Sequence, residues 1–269
     1  MGKIYKEIED LSFLKWSTIR SSSGTAGSFL KSEAVLNGVK RYFKLSNFDL
    51  EKGIVGHECI NEIIVDRLLS LLGVDHLSYD LINARIVIEG QEYITYIAAS
   101  YDFKKRGEAK QAIDDFYRVN CENGESRFEF CIRNGWKQYI EQMLAVDYII
   151  QNRDRHGANI EVLRNRYERS VRIAPLFDHG LSLLFSCLSN EEAIAFDISE
   201  EKKCNNFIGG RSCKDNLSYI DDRKSVFPNK LKESDKDFIF ADLEGILSDI
   251  FIDRIWNMIY SRYCEYEGI

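Results

Sequence analysis

Residues 151–182 read QNRDRHGANIEVLRNRYERSVRIAPLFDHGLS, and three side chains in this stretch stand out by type and spacing. Asp154 and Asn159 lie five positions apart in a polar loop, and Asp178 follows in a Phe-Asp-His-Gly turn after an apolar run. A carboxylate to take or orient a proton, an amide oxygen and a second carboxylate match the needs of magnesium-assisted phosphoryl transfer. In that chemistry charge collects on non-bridging phosphate oxygens, so the protein must supply a metal site, a cation and an aligned acceptor hydroxyl. Asp154 is the candidate base, while Asn159 and Asp178 are candidate ligands to a hard, octahedral Mg²⁺ ion.

A lone Asp-x-x-x-x-Asn is most often a turn closed by its own side chains, so its surroundings decide the reading. Residues 144–150 (LAVDYII) form an apolar, helix-like approach, residues 160–163 resume as a strand, and residues 170–176 form a second strand before Asp178 opens a loop. Catalytic loop, short hairpin and metal loop thus follow one another, as they do in the protein-kinase-like fold. His156, inside the first loop, is expected to bond the backbone of the second. Arg153 and Arg155 are read either as phosphate contacts or as salt-bridge partners of the two carboxylates.

The segments NRDRHGANI and IAPLFDHGLSL resemble the HipA-like serine/threonine kinases, and more distantly the phosphatidylinositol 3- and 4-kinases. Upstream, GHECINEIIVDRLLSLLG resembles that family's Asn-Glu helix and KRYFKLS its nucleotide-lysine strand, so the resemblance covers most of the chain. It implies an α+β, bilobal protein-kinase-like fold: a small β-rich N-lobe with one helix (residues 1–103) and a larger helical, catalytic C-lobe (residues 104–269). ATP and Mg²⁺ are the implied cofactors. A serine or threonine of a protein is the implied acceptor, a translation component if the chain acts as such toxins do. A small DNA-binding antitoxin is the implied partner, and autophosphorylation of the chain's own Gly/Ser loop is implied as well. The chain is much shorter than full-length HipA toxins, and their extra N-terminal region has no counterpart in its 269 residues. A small-molecule or lipid kinase, and a nucleotide-binding pseudokinase scaffold, are the alternatives.

The N-terminal hundred residues read as strands interrupted by one helix. Residues 21–28 (SSSGTAGS) are small and polar, a turn whose amides can approach phosphate, with Gly24, Thr25, Gly27 and Ser28 as the contacts. Asn37-Gly38 marks a hairpin between strands at 29–35 and 39–45. Lys44 lies on the second strand, and an inward lysine there needs anionic partners; the resemblance makes these the nucleotide phosphates. Residues 58–72 carry apolar side chains at helical spacing and stop at Gly73. The resemblance makes Glu62 on this helix the choice to pair with Lys44, and Glu58 one turn earlier is the competitor. A further hairpin crosses Glu89-Gly90, and the resemblance places adenine against residues 99–103, with Ala99 and Tyr101 as contacts.

Beyond residue 109 the pattern is helical: 111–117, 127–134, 136–151, and 235–263 broken near Gly245. The Gly-Gly of residues 206–212 (NFIGGRS) is read as a turn. The chain has 45% hydrophobic residues, two prolines and a net charge of −7, which excludes extended disorder and disfavours non-specific nucleic-acid binding. Lys104, Lys105 and Arg106 are read as a solvated face. Seven scattered cysteines and four histidines lack disulfide or zinc spacing, so the thiols are taken as reduced. No apolar run reaches the ~20 residues that span a bilayer, and the N-terminus is too charged for a secretory signal, so a cytoplasmic protein is expected.

Overall fold

The computed structural model describes residues 2–17, 29–49 and 51–268. The chain opens with strands β1 (Ile4–Asp10), β2 (Lys31–Leu36) and β3 (Val39–Lys44), followed by a two-residue pairing of β4 (Phe48–Asp49) with β5 (Gly53–Ile54). Helix α1 (Glu58–Leu72) comes next, then the long strands β6 (Tyr79–Ile88) and β7 (Gln91–Tyr101). Five of these strands form one sheet in the order β1-β6-β7-β3-β2, with β1 parallel to β6 and the other neighbours antiparallel. Asn37 and Gly38 both take positive φ (50° and 77°), the two-residue loop whose twist suits a tight hairpin, and Glu89-Gly90 does the same between β6 and β7.

Helix α1 runs over the span its apolar spacing predicts and ends on Gly73 in the left-handed conformation, whose amide returns to the helix carbonyls. All of its residues except Ser70 and Leu71 are buried. One side of α1 packs on β6 and β7, and its apolar side chains share a single core with the C-terminal helices, including Leu144, Ile255 and Ile259. The opposite sheet face carries a separate, smaller core around Phe43, Leu45, Ile82 and Ile86.

The C-terminal region holds β8 (Glu108–Ala112), α2 (Ile113–Asn120), α3 (Arg127–Arg133), α4 (Lys137–Ile149), β9 (Asp154–Arg155), β10 (Glu161–Asn165) and β11 (Ser170–Ile173). It continues through α5 (Asn190–Ala195), β12 (Asn205–Asn206), α6 (Cys213–Asn216), α7 (Lys236–Phe240) and α8 (Asp249–Glu267). Its apolar helix faces are core, with α4 against α8. One sequence expectation is corrected here. Residues 111 and 112 belong to a strand, because residues 108–112 pair with β10 to make the sheet β11-β10-β8; the helix starts only at Ile113. The helical stretch over 235–263 breaks near Gly245 as expected, dividing into α7 and α8 with Asp242 and Gly245 at positive φ in the break.

All seven cysteines are free. Lys104, Lys105 and Arg106 are exposed. Among the described residues no helix is long and apolar enough to cross a membrane.

Candidate active site

Strand β3 ends at Lys44, whose side chain turns inward over α1 and is buried. Its ammonium group lies 2.7 Å from Glu62 Oε1 and 2.5 Å from Asp178 Oδ1. Glu62 is itself fully enclosed and accepts the amides of His179 (2.9 Å) and Gly180 (3.1 Å), so one carboxylate joins β3, α1 and the loop after β11. The neighbouring Asn61 holds the same loop by donating to the carbonyls of Gly180 and Ser182. Glu58, the competing partner for Lys44, instead accepts the Asn47 amide at 3.1 Å. The choice between two glutamates one turn apart is thus made by the loop amides that only Glu62 reaches.

Asp178 occupies the left-handed region (φ 59°), which a short polar side chain tolerates, and its amide donates to Tyr79 Oη at 3.3 Å. Burial pushes its carboxyl up, but Lys44 and then Lys31 reverse this and hold it well below the usual carboxylate range. Burial pushes the Lys44 ammonium down, while Asp178 and Glu62 more than compensate and hold it well above the usual lysine value. Lys31 Nζ stands 3.8 Å from Asp178 Oδ2. The sequence reading missed this second cation, although Lys31 is the direct cross-strand partner of Lys44.

The catalytic-loop candidates are organised by Arg155, which is fully buried. Asp147 on α4 holds its guanidinium through both carboxylate oxygens, at 3.0 to 3.2 Å. Arg155 Nη1 then donates to the carbonyls of Phe177 (2.7 Å) and Asn159 (3.3 Å). One nitrogen therefore ties the residue before Asp178 to Asn159 itself. His156 does not reach the 177–180 loop. Its Nδ1 accepts the Ala158 amide at 3.1 Å, and its Nε2 faces Asp154 Oδ2 at 3.6 Å. Arg155 takes the bridging role expected of His156 because a fully buried guanidinium with a carboxylate behind it can span two carbonyls at once. Asp147 in the apolar LAVDYII run was the available signal, since a charge within a core helix requires a partner.

Asp154 is partly exposed. Burial raises its carboxyl above the usual range, His156 opposes this, and Asp178 adds to it. Asn159 Nδ2 donates to the Asp154 carbonyl at 2.8 Å, which orients the amide so that Oδ1 is the atom that could serve as a ligand. Asp178 and Asn159 Oδ1 are hard oxygen donors from two chain segments. That set suits Mg²⁺, which is bound by one or two protein groups completed by phosphate oxygens and water. Among the described residues no group of three or more His, Cys, Asp or Glu side chains is placed to hold a metal.

Lys44 and Asp178 open on a cleft of about 160 Å³, walled further along by Ala98, Ser100, Tyr101, Phe103 and Phe177. Ala99 is not on this wall. Strand alternation turns its side chain into the smaller core, and β3 and β6 flank it on either side. Gly24, Thr25, Gly27 and Ser28 lie outside the described residues.

No protein-family model and no curated protein sequence matches the chain. Solved structures do. The Helicobacter pylori proinflammatory kinase CtkA matches with a TM-score of 0.64 at 15% identity, over 95% of this chain and 94% of that one. The two chains share a kinase fold. A chain of the Shewanella oneidensis toxin–antitoxin complex of HipA, HipB and operator DNA matches with a TM-score of 0.47 at 15% identity, over 94% of this chain and 66% of that one. The β-rich N-terminal sheet and helical C-terminal region are those of the CtkA fold.

Proposed function

We propose that the chain is an ATP- and Mg²⁺-dependent phosphotransferase acting on a serine or threonine hydroxyl of a protein. The observation that carries the reading is the buried Lys44 ammonium held between Glu62 and Asp178 in the lining of an aromatic-walled cleft. An ammonium fixed on one side by a carboxylate presents a directed positive charge to phosphate oxygens. Asp178 and Asn159 would hold the metal, which when bound neutralises charge on the transferring group. Asp154, raised in pKa and reached from solvent, would accept the proton of the acceptor hydroxyl. The fold shared with a kinase supports the reaction class, and the protein acceptor follows the HipA resemblance of the sequence.

The test is transfer of labelled phosphate from ATP into proteins of a host lysate, with Asp154→Ala and Asp178→Ala as controls. Labelled proteins that vanish with either variant support the reading. Nucleotide binding without transfer to any acceptor would replace it with a nucleotide-binding scaffold.

A further inference from the structure

Two cysteines that the catalytic reading does not use meet beside the strand that carries Asp154. Parallel pairing of β12 with β9 sets Asn205 next to Asp154, and the Asn205 amide donates to the Arg153 carbonyl at 2.9 Å. Cys204 stands just before that pairing. Its amide donates to the Arg211 carbonyl at 2.8 Å, which folds the 204–213 loop back on itself and returns Cys213, the first residue of α6, to the catalytic loop. There Cys213 Sγ donates to the Asn152 carbonyl at 3.5 Å, while Cys204 Sγ reaches the Gly210 carbonyl at 3.7 Å. The two thiols are also in hydrogen-bonding contact with each other. Both side chains are buried, but Cys204 keeps 5% exposure against 1% for Cys213, so Cys204 is the sulfur that a small oxidant reaches first.

Their acidities divide the roles. The Cys213 S–H stabilises a thiolate at Cys204 and holds that thiol below the ordinary cysteine value although burial opposes it, whereas Cys204 and burial together hold Cys213 up. Burial pushes Cys59 and Cys131 up instead, to about 11 and about 12. A nucleophilic thiol next to a protonated partner is the arrangement in which a first oxidation is resolved as a disulfide. We propose that Cys204 and Cys213 are a modification site, which hydrogen peroxide converts to an intramolecular disulfide. The Cys204 thiolate attacks one peroxide oxygen, the O–O bond breaks, and the departing hydroxide takes up the proton that Cys204 released, leaving a sulfenic acid and one water. The Cys213 sulfur then attacks the Cys204 sulfur, the S–O bond breaks, and the hydroxide leaves with the Cys213 proton as a second water. The two sulfurs lose two electrons and the peroxide gains them. Closing the contact to the ~2.05 Å of a disulfide draws the two backbones together and takes the S–H donor from the Asn152 carbonyl. Asn152 in turn bonds Asp147 at 2.9 Å and accepts the Asp154 amide at 3.2 Å, so the change falls on the loop that holds the candidate base. Resting on the proposed phosphotransferase function, oxidation of this pair lowers transfer.

The experiment treats the intact chain with hydrogen peroxide, alkylates the remaining thiols, digests with trypsin and compares masses with and without a reductant. Cleavage after Lys203, Arg211 and Lys214 puts the two cysteines in peptides 204–211 and 212–214. These two peptides are expected to be joined after oxidation and released by the reductant. Wild type in which both remain alkylated, or in which Cys204 is joined to a different cysteine or carried on to the sulfinic acid, overturns the site. Transfer of labelled phosphate should fall about 10²-fold on oxidation, the order expected for a misplacement of about 1 Å near the chemistry, and return with the reductant. Cys213→Ser, which keeps a donor for the Asn152 carbonyl, should form no joined peptides and lose the reversible component. Joined peptides with unchanged transfer overturn the control of transfer alone. A reduced wild type that transfers nothing overturns the phosphotransferase reading, while the joined peptides still decide the disulfide.

Discussion

Two interacting aspartates are driven apart in acidity. Burial lifts Asp154, while Lys44 and Lys31 overcome burial at Asp178, so one carboxyl is suited to take a proton and the other to stay charged beside a metal. Phosphoryl transfer should therefore fall with decreasing pH at values above the ordinary aspartate pKa of about 3.9, following Asp154. Asp154→Asn should lower kcat by roughly 10²- to 10⁴-fold with nucleotide affinity nearly unchanged, measured by steady-state kinetics and titration. Gly180 has an equally specific role. A Cβ placed there would stand 3.1 Å from Lys44 Nζ and 3.3 Å from Glu62 Oε1. Gly180→Ala should displace the ammonium group and weaken ATP binding while leaving the fold intact, read by titration alongside circular dichroism. For residues 21–28, mass spectrometry after incubation with ATP tests autophosphorylation. A phosphate on Ser21, Ser22, Ser23, Thr25 or Ser28 would bring about −2 charge into the loop and should inhibit nucleotide binding.

At the scale of elements, β9 and the loops beside it are held by the Asp147–Arg155 pair. Removing one partner of a buried ion pair leaves the other uncompensated and costs about 3–5 kcal/mol. Arg155→Met should lower stability by that order in urea unfolding and also abolish transfer, since Phe177 and Asn159 lose their common donor. Much of the arrangement was legible in the sequence. The span of α1 and the Asn37-Gly38 hairpin follow from periodicity and turn chemistry, while the choice of Glu62 over Glu58 as the partner of Lys44 came from the family resemblance. Strand β8 was not legible, because EAKQA has little intrinsic strand preference and is ordered by β10, some fifty residues away. The bridging role of Arg155 was equally hidden. An arginine flanked by Asp154 and His156 looks like a surface charge until α4 places Asp147 behind it.

Across the whole molecule, stability should carry the mark of a buried neutral histidine. Burial lowers His57 from about 6.5 to about 4. Because the folded pKa lies below the unfolded one, the contribution is fully present above pH 6.5 and is lost as pH falls towards 4. Between pH 7 and pH 5 wild type should lose about 2 kcal/mol more than His57→Phe, compared by urea unfolding at the two pH values. The position of α1 has a consequence for control. Arg67 on this helix donates to the carbonyls of Ile239 (3.0 Å) and Ala241 (2.6 Å), and Leu68 and Leu69 are fully enclosed. Swinging α1 outward to unseat Glu62 would break two charged hydrogen bonds of about 1.5–3 kcal/mol each and hydrate two leucines at a similar cost apiece. A single effector delivers roughly 1–3 kcal/mol of coupling. A ligand of ordinary coupling strength is therefore expected to act on this protein by occupying the cleft rather than by levering the helix.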